Sequence, residues 1–446
     1  MSEPIISVSG LRGIVGESLT PQVAARYVTA FVQTLETGPI VVSRDGRENG
    51  PLIKNAVIAA LAGAGRHVLD ADIAATPTLG VLVRQHHAAG GVQISASHNP
   101  PEYNGLKLFG PEGRVIPAPL GQKVLARYRQ GEKTNTVTQT GKVDALADTT
   151  TDHLAKILPT VDASSIRKRH FRILLDSNAG AGSILGIGLL QNLGCDVVCL
   201  GNQPNGRFLH KPEPTAENLA SVGQEVVVAN ADVGFCQDPD ADRLAIIDET
   251  GRYIGEEYTL SICVDRILRL RKGPVVTNCA TSRMTHDLAT TYGVRFFRSA
   301  VGEANVVDKM LAVSAVFGGE GNGGPIDPRV GLVRDSFVGM ALVLDAMASR
   351  QKKVSELVAE LPQYEIVKRT VQLPPERLPA ALHAVEKQFH EAKADRQDGL
   401  RLDWPDRWII IRGSNTEPIV RVIAEASTKA AAEELVAATC EVIGRV

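Results

Sequence analysis

The sequence lacks an excess of charge of either sign. Its 48 lysine and arginine residues stand against 50 aspartate and glutamate residues, which gives a formal net charge of -2. Proteins that bind nucleic acids or membrane surfaces without specificity are usually strongly basic. The near-zero net charge therefore argues against both classes. Basic residues are therefore expected to act locally, around a site.

The sequence also shows no pattern typical of a segment that carries a protein into or across a membrane, and none is expected. No apolar run approaches the ~20 residues that span a bilayer, and residues 1–10 have neither the basic nor the long apolar region of a signal peptide. The six cysteines form no zinc-binding set, because the close pair Cys195 and Cys199 has no second pair or histidine cluster. We expect a cytoplasmic protein with reduced thiols and no nucleic-acid or membrane partner.

The length of 446 residues predicts several domains. An apolar strand, an amphipathic helix and a second apolar strand recur three times, starting near residues 38, 171 and 273. This βαβ pattern is typical of mainly parallel sheets covered by helices, so we predict three related α/β domains. We place their boundaries near residues 148, 253 and 365, which gives domains 1–148, 149–253, 254–365 and 366–446.

The C-terminal part has a different pattern, which predicts a small α+β domain. It alternates like a strand, then continues as a helix, two further strands and a closing alanine-rich helix. The predicted elements are strands at 367–373, 408–412 and 421–425 and helices at 379–394 and 428–443.

The most informative stretch is Ala-Ser-His-Asn-Pro-Pro at residues 96–101, which follows a predicted strand. A serine at the carboxyl end of a strand lies where α/β proteins bind their ligands. The two prolines restrict the backbone after Ser97, and Lys107 supplies a cation for a phosphoryl oxygen or a proton transfer. The alternatives are an ordinary capped turn and a serine hydrolase, but the chain has no Gly-x-Ser-x-Gly elbow here.

A second polar loop places carboxylates at alternate positions. Asp238, Asp240 and Asp242 converge on one ion if the loop curls, and such oxygen ligands suit a hard cation, Mg²⁺ above all beside a phosphate. Arg243 follows and would balance charge or hold a phosphate.

Three alternatives to the Mg²⁺ site remain open for this loop. The first is a solvated acidic turn. The second is a calcium EF-hand, which is disfavoured because Arg243 replaces the required glycine and a strand-like segment follows. The third is a phosphatase with an aspartate nucleophile, which leaves the Ser97 loop unexplained.

Two further loops contain ligand-binding residue types. In the glycine-rich segment 316–324, Glu320 and Asn322 are candidates for hydrogen bonds to sugar hydroxyls, and a bare glycine turn is the alternative. Near the C-terminus, residues 412–418 read Arg-Gly-Ser-Asn-Thr-Glu-Pro with Arg421 beyond, which predicts a phosphate cradle rather than a capped turn. Arg12 lies close to Gly10 and Gly13 in a third, less specific segment.

With these loops in this order, the chain resembles the α-D-phosphohexomutase superfamily over essentially its whole length. Residues 96–100 look like its phosphoserine loop, 238–243 like its Mg²⁺ loop, 319–324 like its sugar loop and 412–418 like its phosphate loop. The resemblance implies an α/β, four-domain, heart-shaped architecture of three related α/β domains plus a C-terminal α+β domain, with the active site in the central cleft.

The resemblance also implies roles for individual residues. Ser97 would carry the phosphoryl group and, with the three aspartates, bind Mg²⁺. The implied sets are Ser97, His98, Lys107, Arg243 and Arg12 for catalysis; Ser97, Asp238, Asp240 and Asp242 for the metal; Glu320, Asn322 and Gly302 for the sugar; and Arg412, Ser414, Asn415, Thr416 and Arg421 for the distal phosphate.

The implied reaction interconverts hexose 6-phosphate and hexose 1-phosphate through a phosphoserine and a hexose 1,6-bisphosphate. Many family members carry Ser-Gly-His where this chain has Asn-Gly-Gly at 322–324, so the histidine that would be one acid/base is missing. A non-catalytic relative that binds sugar phosphates therefore stays open as an alternative. The two glycines are expected to leave space at the 2-position of the sugar. We therefore expect glucosamine phosphate to be preferred, with mannose and glucose phosphates as the other candidates.

Overall fold

The fold of this chain is given by a computed structural model, which describes residues 3–7, 10–131, 139–413 and 418–446. The strands in this part of the chain form four sheets of seven, four, four and five strands. The predicted combination of three α/β domains and a C-terminal α+β domain is confirmed. The boundaries near residues 148, 253 and 365 stay predictions. In the described ranges, no helix combines the length and the apolar character that a membrane span requires.

The first sheet is mixed and is covered by helices. Its elements in chain order are β1 (Ile5–Ser7), β2 (Gly10–Ile14), α1 (Pro21–Val32), β3 (Ile40–Arg44), α2 (Gly50–Gly63), β4 (Val68–Ile73), α3 (Thr76–Gln85), β5 (Gly90–Ile94), β6 (Tyr103–Phe109), α4 (Ala118–Gln130) and β7 (Val143–Ala145). The sheet order is β1-β2-β6-β5-β3-β4-β7. The strands β3, β4, β5 and β7 run parallel, whereas β5, β6, β2 and β1 pair antiparallel.

The second sheet has the order β11-β10-β8-β9. Its segment comprises α5 (Thr151–Ile157), α6 (Ala163–Arg167), β8 (Arg172–Asp176), α7 (Gly182–Asn192), β9 (Asp196–Leu200), α8 (Ala220–Val228), β10 (Val233–Gln237) and β11 (Leu244–Asp248). Two parallel pairs form its centre, and β10 and β11 form an antiparallel hairpin at one edge.

The third sheet has the order β13-β12-β14-β15. Its segment comprises α9 (Glu256–Leu270), β12 (Val275–Asn278), α10 (Met284–Thr291), β13 (Phe296–Ser299), α11 (Glu303–Val313), β14 (Phe317–Glu320), β15 (Gly324–Ile326), α12 (Ser336–Arg350) and α13 (Val354–Ala359). In all three α/β sheets a parallel strand turns back into an antiparallel neighbour, namely β5–β6, β10–β11 and β14–β15. The three predicted functional loops are the turns of these three hairpins.

The C-terminal sheet is antiparallel throughout, with the order β16-β20-β19-β18-β17. Its elements are β16 (Glu365–Gln372), α14 (Leu378–Gln388), β17 (Lys393–Asp395), β18 (Leu400–Asp403), β19 (Trp408–Gly413), β20 (Ile419–Ala426) and α15 (Lys429–Gly444). The predicted helix 379–394 is too long. The chain leaves the helix at Phe389, whose ring packs on Trp404 at 5.7 Å between centroids, and residues 393–395 join the sheet instead.

The second and third domains share one hydrophobic core. Leu175 and Phe235 of the second domain and Leu260 and Phe317 of the third belong to the same buried cluster. Helix α12 runs through this cluster with residues 336–348 all buried. Because a close-packed interior resists small displacements, this shared core holds the turn between β10 and β11 in a constant position relative to the turn between β14 and β15.

Candidate active site

Ser97 lies in the connection between β5 and β6 and meets the acidic loop of the second domain. Its side chain is almost fully buried, with 1% of the residue exposed, and its Oγ donates a hydrogen bond to Asp238 Oδ2 at 2.6 Å. The backbone φ of Ser97 is +52°, an uncommon value for a residue with a side chain. The surrounding structure imposes this conformation, as is frequent at functional sites.

The Ser97 loop is held by Arg47, whose side chain is completely buried. The guanidinium donates to the carbonyl oxygens of Ser97 at 2.7 Å, Asn99 at 2.6 Å and Pro100 at 2.6 Å. Asp45 accepts from Arg47 Nε at 3.0 Å and balances its charge. The loop is therefore restrained in two ways: by the two prolines, as predicted, and by Arg47, which binds several of its carbonyl groups at once.

The three aspartates converge as predicted. One carboxylate oxygen of each aspartate lies within 4.8 Å of one oxygen of each of the other two. All three residues are buried. The turn is closed by Asp238 Oδ1, which accepts the backbone N–H groups of Asp242 and Arg243, each at 3.1 Å. Ala241 adopts a φ of +56° in the same turn, so the loop curls as an ion-binding loop must.

Two oxygens of this cluster accept no hydrogen bond from the described part of the chain. Among the described residues, Asp240 Oδ1 and Asp242 Oδ1 are buried and accept no hydrogen bond. Their Oδ2 atoms both accept from Lys107 Nζ at 2.7 Å, and Thr76 Oγ1 donates to Asp240 Oδ2 at 2.6 Å. Buried polar atoms are normally satisfied, so the unpartnered oxygens fit a hard cation such as Mg²⁺ at this position.

The charges of the cluster follow from burial and from Lys107. Burial raises the pKa of Asp238 well above its usual value, and the neighbouring carboxylates add to this effect. Burial also opposes ionisation of Asp240, but Lys107 and the hydrogen bonds from Thr76 and Asp238 together outweigh it, and the pKa of Asp240 is lowered. Lys107 is likewise buried, yet Asp240 and Asp242 raise its pKa, so it remains a cation. An ammonium at this position stabilises phosphoryl oxygens by its charge.

The other predicted catalytic residues surround Ser97. His98 Nδ1 lies 3.3 Å from Ser97 Oγ, and burial together with the cations Arg243 and Arg12 lowers the pKa of His98 to about 3, which makes its imidazole neutral at physiological pH. Arg12 donates to Asn99 Oδ1 at 3.1 Å. Arg243 lies with its Nε 3.9 Å from Asp242 Oδ1.

Arg334 joins the acidic loop to the sugar loop, although it belongs to none of the sequence motifs. Its guanidinium donates to Asp242 Oδ2 at 2.7 Å and to Glu320 Oε2 at 2.9 Å. A third bond, at 2.8 Å, goes to Glu303 Oε2; burial raises the pKa of Glu303 to about 7, and Arg334 opposes that rise. Asp335, the next residue, caps α12 by accepting from Phe337 N at 2.9 Å, which fixes where the Arg334 side chain begins.

The predicted sugar residues lie together at the turn between β14 and β15. Glu320 Oε1 accepts from Asn278 Nδ2 at 2.7 Å and from the backbone N–H of Gly302 at 3.0 Å. Asn322 Oδ1 accepts from Arg334 Nη1 at 3.4 Å. Glu320 is thus already engaged by three protein donors, and Gly302 acts on it through its backbone.

The expectation that the two glycines after Asn322 leave open space is wrong. A Cβ on Gly323 would meet the carbonyl oxygen of Leu244 at 2.3 Å, and one on Gly324 would meet Arg334 Cδ at 2.3 Å. Arg334 therefore fills the volume beside Gly324. A sequence motif shows that a side chain is missing but not which distant residue takes its place.

A cavity of about 400 Å³ lies between the sugar loop and the C-terminal domain. Arg412 and Arg421 both line it, because they are directly paired across β19 and β20. Asp398 accepts from Arg412 Nη2 at 2.8 Å. The predicted phosphate-binding residues Ser414, Asn415 and Thr416 lie outside the described residues. The cavity is further lined by Asn278, Glu320, Asn322, Glu257 and Lys368.

The residues missed by the sequence analysis act over long separations. Thr76 and Arg334 belong to no motif, and Arg47 lies in the polar run 44–47, to which the sequence assigned no function; each contacts a motif loop from another part of the chain. A signal existed for Arg47, since the polar run 44–47 ends a predicted strand just as the other loops do. The resulting arrangement presents a buried serine hydroxyl beside a candidate cation site, with a cation-lined cavity at the other end of the cleft.

The comparisons with known proteins cover nearly the whole chain. The models for phosphoglucomutase/phosphomannomutase alpha/beta/alpha domains I, II and III match residues 5–135, 151–251 and 256–364, and the model for the C-terminal domain matches 368–442. A protein of Thermococcus kodakarensis named "Phosphoglucomutase/phosphomannomutase" is 36% identical over 437 residues, 95% of each chain. A protein of Methanopyrus kandleri named "Probable phosphoglucosamine mutase" is 34% identical over 433 residues, 96% of this chain and 95% of that one. The crystal structure of a phosphoglucomutase/phosphomannomutase family protein from Burkholderia thailandensis has a TM-score of 0.86 at 25% identity, covering 99% of this chain and 98% of that one.

Proposed function

The chain belongs to the phosphoglucomutase/phosphomannomutase family, and we propose that this phosphohexose mutase acts best on glucosamine phosphate, with Ser97 as its phosphoryl carrier. As a phosphohexose mutase it is an isomerase that moves a phosphoryl group on a hexose. The observation that carries the assignment of Ser97 is the 2.6 Å contact of its Oγ with Asp238 Oδ2, in a cluster with two unpartnered carboxylate oxygens.

Asp238, Asp240 and Asp242 would hold Mg²⁺ together with an oxygen of the phosphorylated Ser97. The support is the pair of buried, unpartnered oxygens on Asp240 and Asp242 within the three-carboxylate cluster. The bound ion supplies positive charge that offsets the charge developing on the phosphoryl oxygens.

The chain's own cations act on the same group. Lys107 is held close to this group by Asp240 and Asp242, so its ammonium stabilises phosphoryl oxygens by charge. Arg243 and Arg12 add positive charge around His98. Such fixed charges lower the barrier because they need no reorganisation when the transition state forms.

The reaction conserves one phosphoryl group and one proton in each half. A sugar hydroxyl oxygen attacks the phosphorus of phospho-Ser97, the bond between phosphorus and Ser97 Oγ breaks, and the proton lost by the sugar is balanced by the proton that Ser97 Oγ regains. The resulting hexose 1,6-bisphosphate turns within the cleft and returns its other phosphoryl group to Ser97. Arg412 and Arg421 grip the phosphate that is not reacting, with the predicted partners Ser414, Asn415 and Thr416, and this remote binding positions the reacting end.

The preference for glucosamine phosphate is supported by the relatives and by the cavity. Curated relatives at 32–34% identity bear the name "Probable phosphoglucosamine mutase", and the cavity carries two carboxylates, Glu257 and Glu320. Glucose and mannose phosphates are the second candidate substrates. They are suggested by the Thermococcus kodakarensis relative, which is 36% identical and is named for activity on these two sugars.

Two measurements test the proposal. The specificity constant kcat/KM is compared for the 6-phosphates of glucosamine, glucose and mannose, each with a trace of bisphosphate, and glucosamine 6-phosphate is expected to give the highest value. A clear preference for glucose or mannose would overturn the sugar assignment. Glu320→Gln is run alongside, because an equal loss on all three sugars would mean that Glu320 binds without choosing. Intact mass of the purified enzyme is expected to include a form about 80 Da heavier, the phosphoserine.

A further inference from the structure

We propose that Glu257, which belongs to none of the motif loops, selects the substituent at the 2-position of the sugar by accepting hydrogen bonds from an ammonium group. The inference rests on the proposed function, because it takes the cavity between the sugar loop and the C-terminal domain as the sugar site. It names the residue that distinguishes an amino sugar from a neutral one.

The position of Glu257 follows from the absence of a side chain at Gly321. A Cβ on Gly321 would lie 2.0 Å from Glu257 Oε2, 2.2 Å from its carboxyl carbon and 2.2 Å from its Oε1. The carboxylate thus occupies the volume that a side chain of the sugar loop would fill. It comes from the first turn of α9, a different element, and it lines the cavity together with Glu320 and Asn322.

Glu257 retains more capacity to accept hydrogen bonds than Glu320. Within the described residues its hydrogen bond comes from the backbone N–H of Ser282, at 3.0 Å to Oε2. Both oxygens of Glu320 are taken by protein donors, including the guanidinium of Arg334. Of the two carboxylates at this end of the cavity, Glu257 is therefore the one that a ligand donor can still use.

The cavity carries cations on its C-terminal side and carboxylates on its sugar-loop side. Arg412, Arg421, Lys368 and Arg369 lie on the C-terminal domain, where the distal phosphate is expected, and Glu257 lies on the sugar-loop side, where Lys368 is close enough to oppose the effect of burial on its pKa. Glu257 also lines a second, adjoining cavity of about 590 Å³, so its carboxylate has space on two sides. Burial raises the pKa of Glu257 to about 8, and a bound ammonium would favour its ionised form. A hydroxyl at the same position gains much less from this carboxylate.

The test measures the ratio of kcat/KM for glucosamine 6-phosphate to kcat/KM for glucose 6-phosphate. Glu257→Gln keeps the shape and an acceptor for Ser282 N but removes the charge, and it is expected to lower this ratio about tenfold, mainly through KM for the amino sugar. Glu256→Gln is the matched control, because it removes the neighbouring carboxylate of α9, which does not line the sugar cavity. The control is expected to keep the ratio within about twofold of wild type.

A second variant approaches the same contact from the sugar loop. Gly321→Ala retains the charge of Glu257 but places a methyl group where its carboxylate lies, so the ratio is expected to fall as in Glu257→Gln. If either variant lowers kcat/KM for both sugars equally, or leaves the ratio at the wild-type value, the proposal is overturned. The ratio is informative whichever sugar wild type prefers. Wild type preferring glucose phosphate would contradict the proposed function alone, whereas an unchanged ratio in Glu257→Gln would contradict only the assignment of Glu257.

Discussion

The two ends of the active site are built in opposite ways. At the phosphoryl end, Ser97 and the three aspartates are buried and held by a dense set of hydrogen bonds from Arg47, Thr76 and Lys107. At the sugar end, the residues line a cavity of about 400 Å³ formed by the third and C-terminal domains. Phosphoryl transfer needs atoms fixed in line, whereas a sugar that must enter, turn and leave needs room. The phosphoryl end therefore positions the reacting atoms, and the sugar end recognises the substrate.

The two ends are connected by Arg334. Its guanidinium contacts Asp242 at the phosphoryl end and Glu320 at the sugar end. The shared core of the second and third domains keeps these two contacts together. The comparison thus predicts large losses of turnover for changes at the phosphoryl end, mixed effects at Arg334, and changes of preference or stability at the sugar end.

The largest effect is expected for Ser97→Ala, which removes the phosphoryl carrier. We expect turnover to fall by about 10³-fold or more, because covalent transfer through one hydroxyl has no bypass, and the form about 80 Da heavier to disappear from the intact mass. Ser95→Ala, which removes the hydroxyl that accepts from Ser97 N at 2.9 Å, should retain that mass and lose far less activity. A Ser97→Ala enzyme within tenfold of wild type would contradict the assignment.

The next largest effect is expected for Asp240→Asn. Removing one charge from the three-carboxylate cluster should lower Mg²⁺ affinity and reduce kcat by about 10²- to 10³-fold. The binding of Mg²⁺ is measured by calorimetry, and chelator-treated wild type should lose activity and regain it with added Mg²⁺. Asp232→Asn, at an exposed position just before β10, is the control. Full activity of the chelated wild type without added metal would show that this loop has another purpose.

An intermediate effect is expected for Arg334→Lys, which keeps the charge but not the planar fork. We expect kcat to fall on the order of 10- to 100-fold and the preference among the three sugars to change as well, because both ends lose a contact. The steady-state constants for each sugar separate the two effects. The control is Arg329→Lys, which alters an ion pair with Asp327. Arg329 and Arg334 both lie in the connection between β15 and α12. A change confined to KM would mean that the two ends work independently.

The smallest effect concerns stability at the sugar end. Burial raises the pKa of Glu257 from its ordinary value of 4.5 to about 8, so between these two pH values the folded state binds more protons than the unfolded state. Stability must then decrease as pH rises through this window. Glu257→Gln lacks this penalty, and its Tm relative to wild type should increase by about 2–4 °C between pH 5 and pH 8.5. Thermal unfolding measures the difference.

The control for this last prediction is Glu17→Gln, which removes an exposed carboxylate of the first domain. Its Tm relative to wild type should not follow the same trend with pH. If the difference in Tm between Glu257→Gln and wild type stays constant from pH 5 to pH 8.5, Glu257 is ionised in the folded enzyme throughout this range. The contrast between a buried phosphoryl end and a cavity-lining acid would then be weakened.

The sequence alone determined the family, the domain classes and the four loops, because each loop keeps its chemistry within a few consecutive residues. The serine loop, the alternating aspartates and the arginines beside the last turn are patterns of this kind, and strand and helix periods are equally local. The position of Ser97 opposite Asp238 is only implied by such patterns, since the two residues are 141 positions apart.

The tertiary structure decided which residues complete the site. Arg334 lies 92 positions from Asp242, Arg47 lies 50 from Ser97, and Glu257 reaches Gly321 from α9; no local pattern shows which loop each of them contacts. It also filled the space that the glycines after Asn322 were expected to leave, and it ended the predicted helix 379–394 at Phe389. A local pattern fixes which groups a loop contains. Only the packing of distant elements determines which volumes remain open and which charges meet, because those depend on contacts between residues that the sequence does not place side by side.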